Sequence, residues 1–313
     1  MTTPRVFRVS LITNALAGQA ELHGAAIAEA VALWQSHGWQ VTTQQTHAHG
    51  DAERFARAAA AEGYDLVVPA GGDGTVNEVA NGLAGTTTAL APLPIGTVNV
   101  WAREAGFAMD IPTAAQQIVA AERSVIDLGR WNERFFVLMT GIGFDAEVVK
   151  HLYARDKKRF GVMAYIGRIW AVMWGYRGKR VTVWLDDERF DVSLLMMIVG
   201  NTARYASFIP FTPAAAVNDG MLDVYMLVGA DMLGGPYRFV ALFLKRLLPF
   251  LDPHGIERTV RRVRISGGAL PVQIDGDHVG TTPGEVSIVP RALHVLVTHA
   301  AARALQLDPF VTE

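Results

Sequence analysis

Between residues 6 and 105 the chain alternates short runs of β-branched and apolar residues with longer alanine-rich stretches, a rhythm that few folds accommodate. Val6 to Ile12 reads as a strand, Ala25 to His37 as a helix, Trp39 to Thr43 as a strand, Asp51 to Glu62 as a helix and Leu66 to Pro69 as a strand. Helical segments follow at Thr75 to Leu83 and Asn99 to Ala105. Strands separated by helices cannot pair as hairpins, so the expected arrangement is a parallel sheet covered by helices. From about Arg130 the character changes to closely spaced strands, at Phe135 to Met139, Arg180 to Leu185, Val192 to Val199, Leu222 to Leu227, Val260 to Ser266, Val272 to Ile274, Glu285 to Val289 and Leu293 to Val297. Two helical segments interrupt them, Phe160 to Tyr176 and Pro236 to Leu251. The expectation is an α/β N-terminal domain over 1–128 and a β-rich sandwich domain over 129–313, with the extreme C-terminus packing back on the first domain.

A length of 313 residues suits two domains of ordinary size. With no cysteine in the sequence, a thiolate nucleophile, a disulfide scaffold and a sulfur-ligated zinc site are excluded. The formal net charge of −2 supplies no global attraction to nucleic acid, and no nucleic-acid partner is expected. Arg168 interrupts one apolar segment, and Lys245 with Arg246 the other, so neither reaches the roughly 18 residues of a spanning helix. The short run Val9 to Ile12 reads as a first buried strand and not as a signal-peptide core, so a cytoplasmic location is expected.

The segment Leu66 to Glu78 runs from a buried strand through Gly71-Gly72-Asp73-Gly74-Thr75 into a helix. Glycines there remove the side chains that would hold a phosphate away from backbone N–H groups, and the helix start adds a partial positive charge. No Gly-Lys-Ser/Thr follows and the spacing is not Gly-x-Gly-x-x-Gly, so neither a Walker loop nor a dinucleotide fingerprint is present.

This string resembles the nucleotide loop of the diacylglycerol kinase catalytic-domain family, in its bacterial lipid kinase branch, which is related to the sphingosine kinases. Pro94 to Arg103 resembles the family's second nucleotide-side motif, Thr140 to Ala146 the entry to its β-rich domain, and Val272 to Asp277 its late Asp-Gly-Glu motif. The shorter Gly-Gly-Asp-Gly core is shared with NAD kinases and phosphofructokinases, and the resemblance implies their type of parallel sheet in the first domain. Three positions depart from the family. Asn14-Ala15-Leu16-Ala17-Gly18 replaces Asn-Pro-x-Ser-Gly, Val100 stands where many members have aspartate, and Asp277 stands for glutamate.

What the resemblance implies is a kinase dependent on ATP and Mg²⁺ that phosphorylates a hydroxyl of a membrane lipid, with a diacylglycerol-like, phosphatidylglycerol or sphingoid acceptor. Its nucleotide residues would be Asn14, Gly18, Thr46, Gly71, Gly72, Asp73, Gly74, Thr75, Asn77, Glu78, Gly96 and Thr97, with Asp73 also holding the catalytic metal. Asp275 or Asp277 would be the general base in a cleft between the domains, although Asp-Gly-Asp alone is also an ordinary hairpin turn. The turn at Asp219 and Met221 resembles a second, structural Mg²⁺ site, with a plain Asp-Gly turn as the competing reading. His47 and His49 lack a third ligand, and no metal is assigned to them.

Aromatic residues such as Trp170 and Trp174 stand among arginines and lysines in the first helical segment, and Lys245, Arg246 and Arg258 to Arg264 accompany the second. That mixture suits a lipid headgroup interface, so peripheral contact with a membrane is expected, and a homodimer is left open. Packing of both stripes on the β-rich domain is the competing reading. The alternatives to a lipid kinase are an NAD kinase and a non-catalytic lipid- or nucleotide-binding relative.

Overall fold

The computed structural model describes residues 6–14, 20–150, 172, 175–203, 212–229 and 255–307. Gly18, residues 236–251, and residues 160–176 apart from 172, 175 and 176 lie outside the described residues. The chain divides into two units, one of Met1–Leu128, Val217–Asp219 and Val289–Glu313, the other of Gly129–Ala216 and Gly220–Ile288.

The first unit begins with β1 (Arg8–Asn14), α1 (Ala20–Ser36), β2 (Gln40–Thr46), α2 (Asp51–Ala61), β3 (Leu66–Gly71) and α3 (Asp73–Leu83). It continues through β4 (Ala89–Leu90), β5 (Leu93–Pro94), α4 (Val100–Glu104), α5 (Ile111–Val119) and the start of β6 (Glu122–Trp131). β1 lies between β2 and β3 and pairs with both in parallel, while β3 pairs in parallel with β4 and then β5. All six residues of β3 are buried, the mark of a strand covered on both faces. Pro69 sits within it without breaking the ladder. On one side it lies opposite Ile12, and on the other it falls between Val67↔Leu90 and Ala70↔Leu93, where the neighbouring strand is itself interrupted. Among the helices, α1 packs against α5 and α2 against α3.

Two helices of the first unit escaped the sequence reading. α5 is short, and its start is set by Asp110, whose carboxylate accepts the N–H of Thr113 at 2.9 Å, with Pro112 in the first turn. The other is α7 (His299–Ala304), which starts at Thr298, whose hydroxyl accepts the N–H of Ala301.

The second unit is built from β7 (Arg134–Phe136), β8 (Met139–Gly143), α6 (Phe144–Lys150), β9 (Lys179–Leu185), β10 (Glu188–Gly200) and β11 (Leu222–Val228). β12 (Gly255–Val260), β13 (Arg262–Ser266), β14 (Pro271–Ile274) and β15 (Asp277–Thr281) follow, and β16 (Gly284–Val297) contributes residues to both units. Here the strands pair antiparallel, with β9–β10 and β14–β15 as hairpins. The alternation of buried and exposed residues along β9 and β13 places Val183, Leu185, Val263 and Ile265 in the core with Ile142, Met197 and Val272. Each such side chain contributes about 1.5–3 kcal/mol of burial free energy.

The sequence reading had no strand at β4, β5, β6 or β15, and three of its runs are divided or joined differently. The run Val260 to Ser266 is two strands, because the carboxylate of Asp186 accepts the N–H groups of Arg261 and Arg262 at the break. Phe135 to Met139 is likewise divided, since the N–H groups of Val137 and Leu138 turn to a carboxylate described below. Glu285 to Val289 and Leu293 to Val297 are one strand, with Arg291 at φ 51° inside it.

Candidate active site

At the C-terminal edge of the parallel sheet, β3 passes through Gly72 in extended conformation into the first turn of α3. Thr46 Oγ1 donates to Asn14 Oδ1 at 3.4 Å, and Asn14 Nδ2 donates to Thr75 Oγ1 at 3.1 Å, so the ends of β1 and β2 are tied to the helix start. The second turn, Gly96 to Asn99, crosses directly over the first. A Cβ on Gly96 would lie 2.5 Å from Gly72 Cα and 2.7 Å from Asn99 Oδ1, and one on Gly71 would lie 2.5 Å from Thr75 Oγ1. Gly96 is needed for the approach of two backbones and Gly71 for the close packing of the Thr75 side chain, independently of any ligand. Gly96→Ala is therefore expected to lower stability by about 1–3 kcal/mol through overpacking. If this turn meets a nucleotide, as the resemblance implies, the same change should weaken that binding by about tenfold or more, about 1.4 kcal/mol. Thermal unfolding and nucleotide titration of the purified variant check both.

Asp73 joins the two turns. Its Oδ1 accepts the N–H of Val100 at 2.7 Å and that of Trp101 at 3.4 Å. Burial raises its pKa, and the N–H groups of Val100, Trp101 and Asn99 offset part of that rise. Asn99, at φ 52°, donates Nδ2 to Gly96 O at 2.7 Å, while its buried Oδ1 has no partner among the described residues. Thr97 is exposed on the same turn.

Two residues assigned to the nucleotide have other work. Glu78 Oε2 accepts the N–H of Ala52 at 3.1 Å and Oε1 lies 2.8 Å from His49 Nδ1, so it serves the start of α2. Asn77 accepts from Asn81 Nδ2 on its backbone oxygen at 2.9 Å and on its side-chain oxygen at 3.2 Å.

In the second unit, Asp275 (φ 46°) and Gly276 (φ 91°) form the two-residue turn between β14 and β15, both in the left-handed region that tight hairpins use. The carboxylate of Asp275 is committed: Oδ2 accepts the N–H of Val137 at 2.9 Å, and Oδ1 those of Leu138 at 3.0 Å and Met139 at 2.9 Å. Asp277, the first residue of β15, is exposed. Two carboxylates that look alike in the sequence thus have different environments, one holding three backbone N–H groups and the other at the surface.

Asp219 is exposed on a turn whose next residue, Gly220, has φ 72°, and Met221 follows as β11 begins. Among the described residues no group of three histidine or carboxylate side chains gathers there or elsewhere. A hard cation at this turn would depend on backbone oxygens. The sequence reading missed Asp127, a buried carboxylate on β6 whose Oδ1 accepts the N–H of Arg291 at 2.7 Å. Its only signal was a charge within the apolar run Val125 to Leu128.

Residues 8–131 match the diacylglycerol kinase catalytic domain, and residues 139–297 match the YegS C-terminal NAD kinase beta sandwich-like domain. The chain belongs to the diacylglycerol kinase family. A relative named "Diacylglycerol kinase" from Bacillus subtilis is 29% identical over 302 residues, covering 95% of this chain and 99% of its own. Another, "Probable lipid kinase YegS-like" from Pseudomonas putida, is 31% identical over 279 residues, covering 86% and 89%. A crystal structure of a diacylglycerol kinase from Bacillus anthracis superposes with a TM-score of 0.74 at 25% identity, covering 96% of this chain and 99% of that one. The family carries the architecture expected from the motifs, a helix-covered parallel sheet followed by a β-sandwich-like domain, and it places this kinase among the lipid kinases. No helix of the described residues is long and apolar enough to cross a membrane.

Proposed function

We propose that this kinase moves the terminal phosphoryl group of ATP, with Mg²⁺, to a hydroxyl of a membrane lipid. The observation that carries the reading is the division of labour at the Asp275–Asp277 hairpin: one carboxylate is consumed by three backbone N–H groups and the other is exposed. The exposed group serves as the base that accepts the proton of the attacking hydroxyl.

The first unit binds the phosphoryl donor. Gly72, Gly74 and Gly96 are half-buried and carry no side chain at the two turns, and Thr75 and Asn14 stand beside them with a hydroxyl and an amide. This bare surface fits a polyphosphate. Mg²⁺, when bound with the phosphates, neutralises charge that develops on the transferred group. The described residues hold no preformed cage of three acidic ligands, which suits a cation that arrives with phosphate oxygens and needs few protein ligands. Asp73 is the carboxylate nearest that surface in sequence, and its grip on Val100 and Trp101 keeps the two turns together. The structural cation at Asp219 and Met221 stays a separate proposal, resting on a turn rich in backbone oxygen.

The acceptor is a lipid, and the protein meets it as a peripheral protein at the membrane face. The test is incubation with ATP, Mg²⁺ and mixed micelles of diacylglycerol, monoacylglycerol, a sphingoid base or phosphatidylglycerol. A phosphorylated lipid is expected from at least one of them. Failure on all four would overturn the reading. The NAD kinase alternative keeps one support, the likeness of residues 139–297 to an NAD kinase beta sandwich-like domain. Formation of NADP from NAD, with no phospholipid product, would decide for it.

A further inference from the structure

Three polar side chains are buried in the second unit, in the sheet and the helix packed on it: Thr140 at 0% exposure, Gln273 at 2% and Asp145 at 6%. Burying such groups costs stability unless every partner is supplied, and here the partners form a chain. Thr140 Oγ1 donates to Gln273 O at 2.7 Å. The side chain of Gln273 then spans two partners: Oε1 accepts the N–H of Gly276 at 2.8 Å, and Nε2 donates to Asp145 Oδ2 at 2.8 Å.

The orientation of that amide is fixed by logic as well as by distance. A backbone N–H only donates, so the oxygen must face Gly276, and the amide nitrogen must then face an acceptor, which Asp145 provides. Gly141 is the cross-strand partner of Gln273, and the pair passes over its Cα. A Cβ on Gly141 would overlap Asp145 Oδ2 and lie 2.6 Å from Gln273 Nε2. The bare strand position, the helix carboxylate and the strand amide therefore form one device.

That device ends at the turn. Gly276 separates Asp275, which grips residues 137–139, from Asp277, the proposed base. The turn is held on one side by the Asp275 carboxylate and on the other by Gln273. An apolar pair of the same volume would serve packing as well or better, because buried charged and polar pairs seldom stabilise more than well-packed hydrophobic residues. A fully satisfied network does something packing does not, which is to select a single backbone geometry.

We infer that Asp145 and Gln273 are positioning residues for the phosphoryl transfer step, fixing the Asp275–Gly276 turn so that Asp277 is presented in one orientation. This rests on the reading of Asp277 as the base. The test uses Gln273→Met, which keeps the volume and removes the link, and Asp145→Leu, which removes it from the other end. Asp145→Asn serves as the conservative variant, because its amide oxygen still accepts from Gln273.

Hydrogen exchange of the full-length protein should show faster exchange at Gly276 and Asp277 in Gln273→Met, by about tenfold or more, with β8 and β10 still protected. With lipid and ATP, kcat should fall by about tenfold to a hundredfold while KM for ATP holds, as expected of a misplaced catalytic group. Asp145→Leu should reproduce both effects, and Asp145→Asn should restore most of the rate. In an Asp277→Asn background, Gln273→Met should cost little further. Unchanged exchange at Gly276, or an equal loss of rate in that background, overturns the positioning role while leaving the kinase reading intact. If wild type phosphorylates no lipid, the base assignment and the role drawn from it fall together. Should Gln273→Met not fold, Asp145→Leu alone decides between these outcomes.

Discussion

Replacing Asp277 with asparagine is expected to cut lipid phosphorylation by at least about a hundredfold, the usual scale for losing a general base, with KM for ATP and thermal stability unchanged. Asp277 is exposed at the start of β15, and an isosteric amide there keeps the shape of the side chain, yet it accepts no proton. The neighbouring carboxylate gives the contrast. Asp275→Ala leaves the N–H groups of Val137, Leu138 and Met139 without their acceptor, and it should lower stability by about 1–3 kcal/mol. The two variants therefore separate on different axes, rate for Asp277 and unfolding temperature for Asp275. Steady-state kinetics and thermal unfolding, run side by side, test the distinction. Wild-type turnover in Asp277→Asn would remove the base from this hairpin.

That pair also marks the limit of what was legible in the sequence. The β3 strand and the glycine turn after it were readable because the cues are local: a continuous apolar run, then glycines, then a helix start. The change from parallel to antiparallel organisation was readable from spacing alone, since strands separated by helices and strands separated by turns obey different connection rules. The choice between Asp275 and Asp277 was not. It is made by the N–H groups of residues 137–139, more than a hundred positions away, and no property of an Asp-Gly-Asp string reports which carboxylate they will take. The same holds for Glu78, whose acceptor role at the start of α2 depends on how α2 and α3 pack. Gln273 was invisible for a further reason. A glutamine in a strand reads as a solvent-facing residue, and only the absence of a side chain at Gly141 makes room for its amide inside.

Asp73→Asn should give the second large loss, again at least about a hundredfold in turnover, and here the stability result runs the other way. Burial raises the pKa of Asp73, because a carboxylate is harder to ionise where water is partly excluded, and the N–H groups of Val100 and Trp101 recover only part of the difference. For an acid whose folded pKa lies above its unfolded value, the folded state holds the proton longer. Its contribution is fully present below the ordinary value of 3.8 and is lost as pH rises through the raised folded value. Once ionised, Asp73 is a charge that its fold disfavours. Asparagine has no charge to desolvate, and its side-chain oxygen still accepts from Val100. Relative to wild type, Asp73→Asn should thus gain stability as pH rises from 3.8 and then level off, while losing most of its activity. Urea denaturation between pH 4 and pH 8, paired with turnover measurements, checks both halves. A fold that keeps a destabilising carboxylate at the junction of the two glycine turns is explained if the charge serves a bound cation and not the fold. Equal pH dependence in the two proteins would show that Asp73 carries no such burden.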